Sequence, residues 1–102
     1  MQRFRVTVAP RAVAQVEAIA AWWQANRPTS PDLCLDEFAA ALTRLASAPF
    51  AGTAYRPGPR TNLRRLLLPR TRFHVYYVTA EDAHRVSVLA VWHTARGGKP
   101  TL

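Results

Sequence analysis

Three apolar runs, at residues 63–68, 73–78 and 86–92, fall within one stretch of the chain, LRRLLLPRTRFHVYYVTAEDAHRVSVLAVWH. Each has the length of a strand and is rich in β-branched, aromatic or leucine side chains, which pack well on a pleated surface. Residues 69–71 interrupt the first gap, and the polar residues 79–84, with two acids, interrupt the second. Gaps this short cannot return a chain to a parallel neighbour, so the three runs predict an antiparallel meander.

Upstream the period changes. Residues 3–9 (RFRVTVA) put Phe4, Val6 and Val8 on one side and Arg3, Arg5 and Thr7 on the other, the pattern of a half-buried strand. Pro10 suits the first turn of a helix, and Val13, Val16, Ile19, Ala20 and Trp23 follow at helical spacing, predicting a helix over 10–26. Arg27-Pro28 ends it, because a residue before proline avoids the α region. Ser30-Pro31-Asp32 reads as a second helix start, with Ser30 as N-cap and Pro31 at the first helical position. Leu35, Phe38, Leu42 and Leu45 then form a stripe, and the helix stops before Pro49. The short connection predicts an antiparallel helix hairpin whose apolar stripe must be covered by the sheet. Residues 49–62, rich in proline and glycine, read as a loop, and residues 94–102 as a short basic tail. The predicted class is α+β, in the order β-α-α-β-β-β, with a two-helix hairpin on one face of a mostly antiparallel four-stranded sheet.

Size and composition narrow this further. A chain of 102 residues is expected to form one domain over 1–102. At this size about 60–65% of the unfolded surface can be buried, enough for one core but not for layers on both faces of a sheet. One face of the meander is therefore expected to stay open. Apolar residues at 49% with 20% charged argue against disorder. The single cysteine, Cys34, allows no internal disulfide, which fits a reducing cytoplasm. The start MQRFRV lacks the long apolar core of a signal peptide, and no apolar run is long enough to predict a membrane span.

Charge is uneven. Residues 1–49 carry five arginines and four acids, net +1; residues 50–102 carry eight arginines and Lys99 against Glu81 and Asp82, net +7, which together make the net +8 of the whole chain. The excess sits on the meander and its flanks. A basic surface dominated by arginine is expected to meet a nucleic acid or an acidic protein; the plainer alternative is a solvated surface with no partner.

The chemistry that remains is limited. Three histidines, one cysteine and six acids show no zinc-type spacing, so neither a metal nor a cofactor is expected. Gly97-Gly98 opens no helix and is no phosphate loop, and Cys34 reads as a packing residue. Alternation along the middle strand puts Phe73, Val75 and Tyr77 toward the helices and His74 and Tyr76 on the open side. The face of each residue in the last strand depends on a register across 79–85 that the pattern leaves undetermined. Two imidazoles with nearby guanidinium groups could cleave RNA without a metal. One would take the 2′-hydroxyl proton, the other would protonate the leaving oxygen, and an arginine would stabilise the charged phosphorane. His74, His93, Arg65 and Arg72, with Arg70 alongside, could supply this set. The alternative is that His74 is a polar strand residue, His93 caps a strand end and the arginines are partner contacts.

The element order, the run RRLLLPRTRFHVYYV and the ending VLAVWHTARG resemble the RelE/ParE superfamily of bacterial type II toxin–antitoxin toxins. The resemblance implies a cytoplasmic toxin neutralised by a cognate acidic antitoxin that wraps it. RelE-like members are ribosome-dependent mRNA endonucleases; ParE-like members share the fold and inhibit DNA gyrase by binding it. Here His74 stands where nucleases often have Arg, Arg65 matches a common Arg of the preceding strand, and Thr94 follows His93 where some nucleases have Tyr. This incomplete set favours a ParE-like toxin acting on gyrase, with the metal-independent endoribonuclease as the alternative and a non-toxic partner-binding module as a third reading. Contacts to the target or to nucleic acid are expected from Arg64, Arg65, Arg70, Arg72, Tyr76, Arg96 and Lys99.

Overall fold

The computed structural model describes residues 3–56, 58–93, 100 and 102. Its elements are β1 (Arg5–Val8), α1 (Pro10–Asn26), α2 (Leu33–Ser47), β2 (Thr53–Ala54), β3 (Leu63–Leu67), β4 (Phe73–Ala80) and β5 (Arg85–His93). The sheet order is β1-β5-β4-β3-β2. The meander β3-β4-β5 is antiparallel, and β1 joins its far edge parallel to β5. The α1–α2 hairpin lies on one face, its buried Ala12, Val16, Phe38, Ala41 and Leu45 packing with Leu66, Val75, Tyr77, Val86, Val88 and Val91 of the sheet.

Three features differ from the sequence expectation. Residues 53–54, inside the stretch read as loop, add a short fifth strand antiparallel to β3. It exists because the chain there is pinned from both sides. The Gly52 amide donates to the Tyr77 hydroxyl at 2.9 Å, and Arg64 Nη1 donates to the Gly52 carbonyl at 2.6 Å. The approach is close enough that a Cβ at Gly52 would stand 2.6 Å from the Arg65 carbonyl oxygen. The second helix begins at Leu33 rather than at Pro31, with Asp32 as N-cap. Ser30 is held in consecutive turns, its N–H donating to the Arg27 carbonyl at 3.0 Å and its carbonyl accepting from Leu33 at 3.3 Å, so Pro31 serves a turn. The apolar stripes are also rotated: Ala12 and Cys34 are buried while Val13 and Leu35 are 43% and 40% exposed. Burial, and secondarily the charge of Glu37, pushes the Cys34 thiol up to about 11, so it is a protonated packing group.

The last strand holds a correction to simple alternation. Tyr76 pairs with Ala90, but Tyr77 pairs with Val88, so Leu89 is an extra residue in β5, a β-bulge. The bulge exchanges the faces of everything after it. Val86 and Val88 face the helices, but so do Val91 and His93, while Ala90 and Trp92 turn to the other side with Ser87. Beside the bulge the Val91 amide donates to Gln15 Oε1 of α1 at 2.8 Å, which provides that buried donor with a partner.

Candidate functional site

Register across the meander decides which side chains can act together. On the face away from the helices, His74 sits between Leu67 and Trp92, and Tyr76 between Arg65 and Ala90. Among the described residues no helix covers this face, but it is not bare. Tyr55, from the end of the loop segment, meets Tyr76 edge-on at 5.1 Å, and Tyr76 is only 3% exposed. The Arg65 guanidinium lies over the Tyr55 ring at 4.9 Å, and His74 meets Tyr76 at 6.0 Å. Arg72, exposed at the hairpin end of β4, adopts φ 68°. This left-handed position is disfavoured for a side chain other than glycine. The hairpin is held there by α2: the Glu37 carboxylate accepts from the Arg70 and Thr71 amides at 2.7 and 3.0 Å and from Thr71 Oγ1 at 2.6 Å.

The outcome is a compact cluster of Tyr55, Arg65, His74 and Tyr76, with Arg72 at its end. Partial burial, and then the positive charges of Arg65 and Arg72, lower the His74 pKa below its usual value. The imidazole is neutral at pH 7, able to donate from one nitrogen and accept at the other, next to guanidinium groups suited to a carboxylate or phosphate.

Several residues expected to join this cluster lie elsewhere. His93 pairs with Phe73 and faces the helices, so the two imidazoles of the supposed acid–base pair stand on opposite faces of the sheet. The bulge at Leu89 is the reason; without it His93 would share the face of His74. Arg64 also faces the helices. Its guanidinium donates to the Gly52 and Phe50 carbonyls, the latter at 3.3 Å, and lies 5.1 Å from the Phe50 ring, so it acts as an internal clamp. Tyr76 packs under Tyr55 and is buried, so little of it reaches the surface. Arg70 is exposed but belongs to a groove on the helix side, with Trp22, Trp23, Arg27, Phe73 and His93. Arg96 and Lys99 lie outside the described residues. Sequence reasoning missed Tyr55 and the Trp22-Trp23 pair; the first lies in a segment read as a loop, and of the second only Trp23 entered, as part of the helix stripe. Two adjacent tryptophans cannot both face inward from one helix, and that was the available signal.

A profile of the family described as the ParE toxin of type II toxin–antitoxin systems, parDE, matches residues 6–97. The chain belongs to the ParE toxin family. Solved structures agree on the fold. The chromosomal ParDE toxin–antitoxin system from P. aeruginosa superposes with a TM-score of 0.71 at 16% identity, covering 89% of this chain and 96% of that one. The intact E. coli RelBE toxin–antitoxin complex gives 0.60 at 15% identity, over 91% and 99%. The RelBE2 toxin–antitoxin complex from Mycobacterium tuberculosis gives 0.57 at 16%, over 94% and 97%. A search of curated proteins found no match to this toxin. Among its described residues no helix is long and apolar enough to cross a membrane, and no group of three or more His, Cys, Asp or Glu side chains could hold a metal ion.

Proposed function

We propose that this ParE-family toxin arrests growth by binding its target rather than by cutting it, that the target is DNA gyrase, and that a cognate acidic antitoxin neutralises it by wrapping around it. The carrying observation is the separation of His74 from His93 by the thickness of the sheet. Metal-free RNA cleavage needs a base and an acid on the two sides of one phosphate, and a single neutral imidazole in the open-face cluster does not supply both. Half-buried Arg65 and exposed Arg72 then serve as contacts to the target, with His74 as a hydrogen-bonding group between them. The RelBE neighbours are toxin–antitoxin complexes, which supports an antitoxin as the partner here. A gyrase target implies the cytoplasm as the site of action.

The test is direct. Purified toxin added to gyrase and relaxed plasmid should block supercoiling and accumulate cleaved DNA, and Arg65→Glu should weaken this at least about tenfold while leaving the fold intact. Intact supercoiling together with codon-position cuts in ribosome-bound mRNA would replace this reading with the nuclease.

The nuclease reading keeps one specific observation in its favour. His74 is flanked by the charges of Arg65 and Arg72, which would suit a scissile phosphate. Under it, His74→Ala abolishes mRNA cleavage; under the binding reading, growth arrest survives that change with a modest loss of potency.

A further inference from the structure

The groove that holds His93 and Arg70 is not absorbed by the open-face cluster, because it lies on the other side of the sheet. It forms where the end of α1 meets the β3–β4 hairpin, and it encloses about 450 Å³. That volume is within the range of ligand-binding clefts. Trp22 is 50% exposed there, an unusual cost for so large an apolar side chain on a free surface. Trp22 and Trp23 meet edge to face, with centroids 6.1 Å apart at 74°. Arg27, which caps α1, holds its guanidinium 5.4 Å from one ring and 5.8 Å from the other. Across the groove, Phe73 meets His93 edge-on at 4.8 Å, and the backbone of Arg70 is fixed by Glu37.

We propose that this groove seats a short acidic segment of a partner protein, with one bulky apolar side chain against Trp22, Trp23 and Phe73 and its flanking carboxylates on Arg27 and Arg70. Charge complementarity chooses the occupant: the described lining carries two arginines and a histidine and no acid, in a chain of net +8. Tryptophan and arginine are also the side chains that most often dominate binding energy in protein interfaces. The cation–π contacts and the Glu37 tether hold both arginine-bearing segments before any ligand arrives, which lowers the ordering cost of binding. A nucleic-acid strand fits less well. Successive bases stack on free, flat aromatic faces, and here the indoles stand nearly perpendicular with Arg27 over both.

The proposal rests on the toxin–antitoxin reading only for where such a segment would come from; the binding chemistry is read on the purified chain. The probe is a blocked octapeptide with a Leu-Phe pair between glutamates, titrated while the indole N–H resonances of Trp22 and Trp23 are followed by NMR. We expect both resonances to shift and saturate, and binding to weaken as salt rises. Trp22→Ala should weaken binding at least about tenfold without unfolding the chain, since that side chain is half exposed. Joint Arg27→Glu and Arg70→Glu replacement should transfer preference to the same peptide with lysines in place of glutamates, an outcome a damaged fold could not produce. Unmoved indoles, equal binding of the glutamate and lysine peptides to the unmodified chain, or tighter binding of an eight-nucleotide oligothymidylate would each overturn the proposal. Peptide binding without inhibition of supercoiling removes the gyrase reading and leaves the groove standing; inhibition of supercoiling without peptide binding does the reverse.

Discussion

Arg64 and Arg65 are neighbours on one strand, yet they do different work. Arg64 points to the helix side and uses its guanidinium on the Gly52 and Phe50 carbonyls; Arg65 points the other way and lies over Tyr55, beside His74. His93 and His74 likewise lie on opposite faces of the sheet. The two faces of this sheet therefore take similar residues and give them opposite tasks. On the helix side, Arg64 is consumed in holding the 50–52 backbone, while His93 and Arg70 line the groove at the end of α1. On the other side Arg65 and His74 are left available. A count of arginines and histidines cannot distinguish these cases, and the direction of each strand residue can.

The most damaging way to break this division is at Gly52. Gly52→Ala places a methyl 2.6 Å from the Arg65 carbonyl oxygen and 2.7 Å from the Tyr77 hydroxyl, one of them backbone and the other fully buried. Neither can retreat easily, so we expect a loss of about 3 kcal/mol in urea unfolding, together with exposure of Tyr77. Burial raises the Tyr77 pKa, with the Gly52 hydrogen bond and the charges of Arg64 and Arg44 working against it. Its alkaline spectral titration should move toward that of a free phenol in the variant. Next in size is Arg64→Ala, which leaves the Gly52 carbonyl without its charged donor and should cost about 2 kcal/mol. Arg65→Ala is the matched control on the other face: stability should change by less than about 0.5 kcal/mol while toxicity falls. Equal destabilisation by the two would mean that the faces are not specialised.

Much of this architecture was legible in the chain itself. The meander, the helix over 10–26 and the assignment of Phe73, Val75 and Tyr77 to the core side follow from periodicity, because a strand buried on one face has little freedom in register. The site was legible only as far as alternation holds. Residues 88–92 (VLAVW) are apolar at every position, so either set could face the core, and nothing in their types marks Leu89 as the extra one. The bulge is a tertiary choice: it turns the apolar Val91 inward beside Val88 and presents its amide to Gln15, a residue 76 positions away. The loop at 49–62 failed for a related reason, since its order comes from Tyr77 and Arg64 rather than from its own sequence. This makes Gln15→Ala a useful, smaller test. It should cost about 1–2 kcal/mol, the loss expected for an orphaned buried amide, and the Val91 amide should lose hydrogen-exchange protection ahead of its neighbours on β5. Uniform loss along the strand would indicate that Gln15 contributes to packing in general and does not secure the bulge.

The smallest effect addresses the open face directly. The His74 pKa is lowered by partial burial first and by Arg65 and Arg72 after it. A histidine with a folded pKa below its unfolded value binds fewer protons when folded, across the window between the two. Its contribution to stability is thus complete above the unfolded value, about 6.5, and is lost as the pH falls through the folded one. Between about pH 7.5 and about pH 5.5, the melting temperature of the toxin should therefore drop further than that of His74→Gln, with His84 and His93 present in both. Replacing Arg65 by Gln removes one of the two charges and should narrow the gap, and replacing Arg72 should narrow it again. Parallel pH profiles for the toxin and His74→Gln would mean that His74 is freely solvated and that the cluster around Tyr55 is open to water. The anion-contact role of Arg65 would then have to stand without a neutral imidazole beside it.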